Sequence, residues 1–194
     1  MSIEIFKNEF FQVHGKADLS KIPNYGIVTL NISRADLIQA RLELSSGVGD
    51  DTKADVNNKD TGTRRVRMWR MPLNCKIAQL FHKYTVEINK IFNYRISAIQ
   101  DIQYLEYSQG DYYKAHSDIN NEIGSTRKIS ISWVIDDEYE GGDLKINYGG
   151  EEVVINKTTE QLIAFTSFMT HEVTPIISGV RKVLVCWVSG ESWR

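Results

Sequence analysis

From Tyr107 to Asp118 the chain reads YSQGDYYKAHSD, and the conformation of this stretch decides both the fold and the chemistry. Successive side chains of a strand point to opposite faces, so in an extended segment His116 and Asp118 project to the same side. An imidazole and a carboxylate placed this way can hold one ion together. An isolated H-x-D more often solvates a strand end, so its surroundings must decide. Downstream of Asn93, short runs rich in β-branched and aromatic residues follow one another, separated by Gly, Asp or Asn. They are Ile99–Tyr107, Asp111–Asp118, Arg127–Ile135, Gly142–Asn147, Glu151–Asn156, Gln161–Thr166, His171–Ile177 and Arg181–Val188. Strands at this spacing predict a mainly β protein with a double-stranded β-helix core, a jelly roll of cupin-like form, flanked by α-helices.

The helices lie upstream. Ser33 precedes RADLIQARLEL as an N-cap would, and Ile77–Asn93 carries the helical period strongly, with Ile77, Leu80, Phe81, Tyr84, Ile88 and Ile91 along one side. Between them, residues 45–63 are polar and rich in Gly and Asp, which predicts a long mobile loop and a candidate lid. RRVRMWRM (Arg64–Met71) alternates well enough for a strand with solvated arginines. These signals predict one domain over 1–194, with a helical N-terminal part (1–95) and a β-roll core (96–190).

Bulk composition narrows the function classes. The 194 residues are 42% hydrophobic and 25% charged with a net charge of −2, a globular composition with no global attraction for nucleic acid or an anionic membrane. No apolar run is long enough to span a bilayer. MSIEIFKNEFF carries charges inside its apolar stretch and no cleavage pattern, so no secretory signal is expected. Cys75 and Cys186 form no metal-binding spacing, and a reducing cytoplasm is the expected compartment.

His171 is the second histidine of interest. It opens HEVTPII after the short AFTSFMT segment, and Arg181 follows ten residues later on the last predicted strand. Alone, His171 reads as a partly buried structural histidine and Arg181 as a snorkelling surface residue. In this order, on strands of one roll, they read differently. Two imidazoles and one carboxylate occupy one face of an octahedral ion and leave three positions open, the donor set of non-haem Fe(II) oxygenases. His14 and His82 lack such context.

The chain at this point resembles the Fe(II)- and 2-oxoglutarate-dependent dioxygenases, in particular the prolyl 4-hydroxylase-like and PKHD-type hydroxylase branch. The resemblance runs from about Gln100 to Gly190. Tyr107, Gly110, Tyr113, His116 and Asp118 meet that family's Y-x-x-G-x-x-Y-x-x-H-x-D; DDEYEGGDL (Asp136–Leu144) is similar to its acidic turn; HEVTPIISGVR (His171–Arg181) is similar to its H-x-V-x-P-V-x-x-G-x-R. The resemblance implies catalytic iron ligands His116, Asp118 and His171. It implies that Arg181 and Tyr107 bind 2-oxoglutarate, and that Tyr113, Arg127 and Trp187 face the substrate. Fe(II), 2-oxoglutarate and O2 are the implied cofactors, with ascorbate as reductant and a peptide, protein or amino-acid substrate hydroxylated at a C–H bond, a peptidyl proline or another side chain. Two departures stand out. Val134 occupies the position where prolyl hydroxylases often carry a cosubstrate-binding tyrosine, with Ser130 or Ser132 as replacement, and the last strand carries arginine where the animal collagen enzymes have lysine. The alternative is a cupin-type protein that binds a metal or ligand without oxygen chemistry. No nucleic-acid partner is expected, since the basic residues form only one short cluster.

Overall fold

A computed structural model describes residues 3–4, 26–46, 62–119, 126–148 and 150–193. Along them run β1 (Ile3–Glu4), β2 (Ile27–Asn31), α1 (Arg34–Ser45), β3 (Arg64–Arg65), β4 (Arg67–Arg70), α2 (Lys76–Phe92), β5 (Ile96–Tyr107), β6 (Tyr112–His116), β7 (Arg127–Asp136), β8 (Tyr139–Gly141), β9 (Leu144–Tyr148), β10 (Glu151–Ile155), β11 (Gln161–Thr166), β12 (His171–Val173), β13 (Ile176–Gly179) and β14 (Arg181–Gly190). His14 and nearly all of the 45–63 loop lie outside the described residues. No helix among those described is long and apolar enough to cross a membrane.

Both helices start where side chains can satisfy their free amide groups. Ser33 Oγ accepts from the Asp36 amide of α1 at 3.1 Å. The Glu43 carboxylate at the end of α1 takes the Lys76 amide at 2.8 Å and the Ile77 amide at 2.5 Å, so one helix caps the next. Asn93 closes α2 in the left-handed conformation at φ 51°, which asparagine tolerates better than most side chains. The apolar face of α2 buries Ile77, Phe81, Tyr84, Ile88 and Phe92.

That face packs on a seven-stranded sheet of order β1-β2-β11-β7-β14-β5-β4; a five-stranded sheet, β10-β9-β12-β6-β3, and a ribbon, β13-β8, complete the β structure. Alternation along the larger sheet divides its residues. Ile129, Ile131, Trp133, Leu162, Ala164, Leu184 and Cys186 join the helices in one apolar cluster. From the other side, Leu105, Tyr107, Ile163, Phe165 and Val183 meet Leu144, Ile146 and Val173 of the smaller sheet in a second cluster. The larger sheet is thus covered on both faces.

The expected mixed architecture of β-sheets with flanking helices is present. Neither sheet closes into a barrel, and the outer strands explain how open edges are tolerated. β3 is only two residues long, and β4 is RMWR with arginine at both ends; short and charged edges resist further pairing. The sequence from Arg64 to Arg70 is not one strand: β3 pairs with β6 and β4 with β5, so the chain changes sheet at Val66. HEVTPII also divides, at Thr174 and Pro175, into β12 and β13. Gly141 permits this crossing closely, since a Cβ there would lie 2.5 Å from the Pro175 carbonyl oxygen. The N-terminal third supplies β1 to β4 besides its helices.

Phe81 is 1% exposed and meets Trp133 edge-on at 6.3 Å between centroids. Phe81→Ala should therefore cost about 3–5 kcal/mol, read as a lower urea midpoint with an unchanged slope.

Candidate metal centre

β12 lies between β9 and β6, and its register sets His171 directly across from His116. The two rings stand 4.3 Å apart between centroids. Asp118 reaches them differently from the simple alternation expected of a strand. β6 ends at His116, and Asp118 sits just beyond it, pinned by its amide donating to the Ser167 carbonyl at 3.0 Å. The result still brings the three together: His116 Nε2 is 3.7 Å from one Asp118 oxygen, and His171 Nε2 is 3.6 Å from the other. One donor atom from each residue lies within 4.8 Å of the others, the one such cluster found among the described residues.

The donor set fits a divalent ion. His116 Nδ1 faces the Lys114 carbonyl at 2.8 Å, and His171 Nδ1 faces the Met169 carbonyl at 3.0 Å. A carbonyl oxygen only accepts, so each Nδ1 carries the proton and each Nε2 presents a lone pair. Burial, with the second imidazole beside it, pushes His116 down to about 4, which keeps the ring neutral near pH 7. Tyr113 stacks on His116 at 3.6 Å and Phe165 stands edge-on to His171 at 4.7 Å, fixing both rings from outside. Asp118, 8% exposed, accepts from Ser130 Oγ at 2.6 Å, and Ser130 Oγ lies 3.0 Å from Ser167 Oγ.

These side chains open onto a cavity of about 170 Å³ between the two sheets, and all eight sequence-predicted site residues line it. Arg181 starts β14 opposite Tyr107 of β5 and is 2% exposed. Its guanidinium lies 5.3 Å from the centre of the Tyr107 ring, and its Nε is buried without a hydrogen-bond partner. Among the described residues it has no carboxylate partner. A buried cation in that state is costly, so the arrangement suits an anion supplied from outside. Gly142, at φ +64°, makes room for it: a Cβ there would lie 3.2 Å from both Arg181 Cδ and the Tyr139 ring. Burial pushes the Tyr107 hydroxyl up to about 12, so it stays a protonated donor.

Arg127 stacks on Trp187 at 4.3 Å and donates to Gln100 at 3.0 Å and to the Asp118 carbonyl at 3.4 Å. Val134 is partly buried in the inter-sheet cluster. Ser130, a suggested replacement for the missing tyrosine, instead engages Asp118. Arg64, read in the sequence as part of a solvated cluster, also lines the cavity and lies over Tyr113 at 5.5 Å. Its neighbours Arg65, Arg67 and Arg70 pair with Asp111, Glu106 and Asp101. The switch of sheet at Val66 separates Arg64 from Arg67 and Arg70, and the alternation of RRVRMWR does not reveal it. His82 is on the exposed face of α2.

Comparison with known proteins gives the same picture. A model of the 2OG-Fe(II) oxygenase superfamily matches residues 102–189. A PKHD-type hydroxylase of Synechococcus sp. (strain CC9605) is 36% identical over 84 residues, 42% of this chain and 38% of that protein. One from Colwellia psychrerythraea is 37% identical over 51 residues, 26% of this chain and 23% of that protein. The chain thus spans well under half the length of these relatives. Among solved structures, a Pseudomonas putida prolyl-4-hydroxylase superposes with a TM-score of 0.71 at 18% identity, covering 90% of this chain and 96% of that one. A Trichoplax adhaerens prolyl hydroxylase in complex with a hypoxia inducible factor peptide fragment gives 0.68 at 17% identity, covering 89% and 87%. At those identities the likeness is one of fold. The matched segment contains all three converging donors, and over it the chain is similar to the 2OG-Fe(II) oxygenase superfamily.

Proposed function

We propose that this protein is an Fe(II)- and 2-oxoglutarate-dependent dioxygenase that hydroxylates a C–H bond of a peptide, protein or amino-acid substrate. The observation that carries the proposal is the pairing, across one small cavity, of a largely buried two-histidine, one-carboxylate cluster with a buried arginine that meets no carboxylate among the described residues. His116, Asp118 and His171 would hold the iron. Bound there, iron and 2-oxoglutarate supply the chemistry: O2 and the keto acid give succinate, CO2 and an oxidised C–H bond.

The chain's own residues bind, orient and exclude water. Arg181 offers a planar fork to the far carboxylate of the cosubstrate, and the rings of Tyr107 and Tyr139 with Gly142 keep that fork in place. Tyr107 donates its hydroxyl to the same ligand. Leu105, Leu144, Phe165, Val173 and Val185 form the apolar lining that keeps water from the reacting groups. Tyr113, Arg127 and Trp187 would meet the substrate, with Arg127 already ordered by its stack on Trp187. Peptidyl proline is the first substrate to try, since the fold likeness includes prolyl hydroxylases; ascorbate is the reductant of choice in such an assay. We read the chain as one domain, its two open sheets as an unclosed double-stranded β-helix, and its compartment as the cytoplasm.

With Fe(II), 2-oxoglutarate and ascorbate, the purified chain should form succinate slowly even alone, and faster when the correct member of a panel of proline peptides, amino acids and ribosomal proteins is added. His116→Ala should reduce succinate to background and weaken metal binding; full turnover in that variant would refute the metal assignment. Arg181→Gln removes one half of a buried ion pair, a loss of at least about 2 kcal/mol. The KM for 2-oxoglutarate should then rise by about 30-fold or more, with metal affinity unchanged.

A further inference from the structure

Asp118 is tied more tightly than a ligand needs merely to be present. An ionised carboxylate can only accept hydrogen bonds, so the 2.6 Å contact between Ser130 Oγ and Asp118 Oδ2 is donated by Ser130. That spends the one proton Ser130 has. The 3.0 Å contact between Ser130 Oγ and Ser167 Oγ is then donated by Ser167. The two hydroxyls are polarised in one direction, from Ser167 through Ser130 to the carboxylate. Ser167 is 0% exposed, Ser130 3% and Asp118 8%, so water does not compete. The backbone adds to this: the Asp118 amide donates to the Ser167 carbonyl at 3.0 Å, and the Ser167 amide donates to the Lys128 carbonyl at 3.1 Å.

The same short turn serves a second ligand. Ser167 and Met169 both lie between β11 and β12, and the Met169 carbonyl accepts from His171 Nδ1 at 3.0 Å. One turn therefore orients the carboxylate through Ser167 and the imidazole through Met169, with Ser130 of β7 closing the arrangement from the larger sheet.

We propose that Ser130, held by Ser167, is a positioning residue for the metal centre. It holds the Asp118 carboxylate in one orientation through Oδ2, the oxygen 3.6 Å from His171 Nε2, and occupies one lone pair there, so that Oδ1, 3.7 Å from His116 Nε2, would be the oxygen offered to an ion. A carboxylate free to turn would bind through both oxygens and close a further position on the ion. The choice of a hydroxyl is physically apt. A lysine or arginine at this place would orient the carboxylate equally well but cancel the charge that attracts the metal, whereas a neutral donor orients without competing. This assignment also excludes Ser130 as a donor to the cosubstrate, because its proton is committed. The inference rests on the metal-centre reading above.

The test is Co(II) titration of the full chain, followed by its visible absorption and by the melting temperature of the metal-free protein. Ser130→Ala should weaken Co(II) binding by about tenfold or more and shift the Co(II) bands, with metal-free melting nearly unchanged. Ser130→Thr, whose added methyl can enter the adjoining cavity, should restore both affinity and spectrum. Ser167→Ala should show a smaller loss in the same direction, and it carries the test if Ser130→Ala does not fold. Wild-type affinity and spectrum in Ser130→Ala would overturn the proposal, as would equal weakening by Ala and Thr. Failure of the underlying reading looks different: the unaltered chain would not bind Co(II), or His171→Ala would bind it as tightly as the unaltered chain.

Discussion

The site depends on one strand pairing, β12 against β6, in the register that puts His171 opposite His116. Side-chain direction in a strand has a period of two, so a slip of one residue would turn an imidazole away from the cavity. β12 is only three residues long and cannot fix such a register by itself. It is held between β9, through His171↔Ile146, Glu172↔Lys145 and Val173↔Leu144, and β6. Beyond it Pro175 has no amide to continue the ladder, and the chain runs on into β13 against β8, where the Gly142 amide donates to the Pro175 carbonyl at 3.2 Å. The two imidazoles are thus brought together by backbone pairing.

The larger sheet explains why the cavity can be both polar and dry. In β7 the odd-numbered residues Ile129, Ile131, Trp133 and Ile135 face the helices, while Ser130 and Ser132 line the cavity. The helical layer supplies the apolar burial that holds the sheet, and leaves the opposite face free to carry hydroxyls, a carboxylate and guanidinium groups. Polar residues there are held by neighbours of defined geometry, Ser130 by Asp118 and Arg127 by Gln100 and Trp187, and across the cavity the two imidazoles are held by carbonyl groups.

How much of this was legible in the sequence follows from which interactions are local. Helix α1 with its Ser33 cap, helix α2 with its buried stripe and most core strands were readable, because period and capping are properties of neighbouring residues. The cluster His116, Asp118, His171 and Arg181 was legible through spacing and resemblance. β2 was missed because five residues, IVTLN, carry a weak signal and become a strand by pairing with β11, over a hundred residues away. The break at Val66 was missed for a related reason: alternation continues through it, while the partner strand changes. Ser130 was noticed, but for the wrong contact, since the sequence does not show that Asp118 bends back toward it past the end of β6.

The electrostatics of the centre bring these features together. Both imidazoles are oriented through Nδ1 by backbone carbonyls, and Asp118 contributes one negative charge that a neutral hydroxyl leaves intact. Arg181 contributes one positive charge at 2% exposure, with no carboxylate to meet it among the described residues. Left alone, each of these buried charges is unfavourable. A divalent cation at the cluster would meet the charge of Asp118, and a dicarboxylate at Arg181 would meet the guanidinium, with Arg64 and Arg127 adding positive charge to the same cavity wall. The guanidinium and the metal-ligating donors face one cavity and are complementary to a single pair of ligands. Packing that satisfied either charge internally would have made a more stable cavity and a useless one.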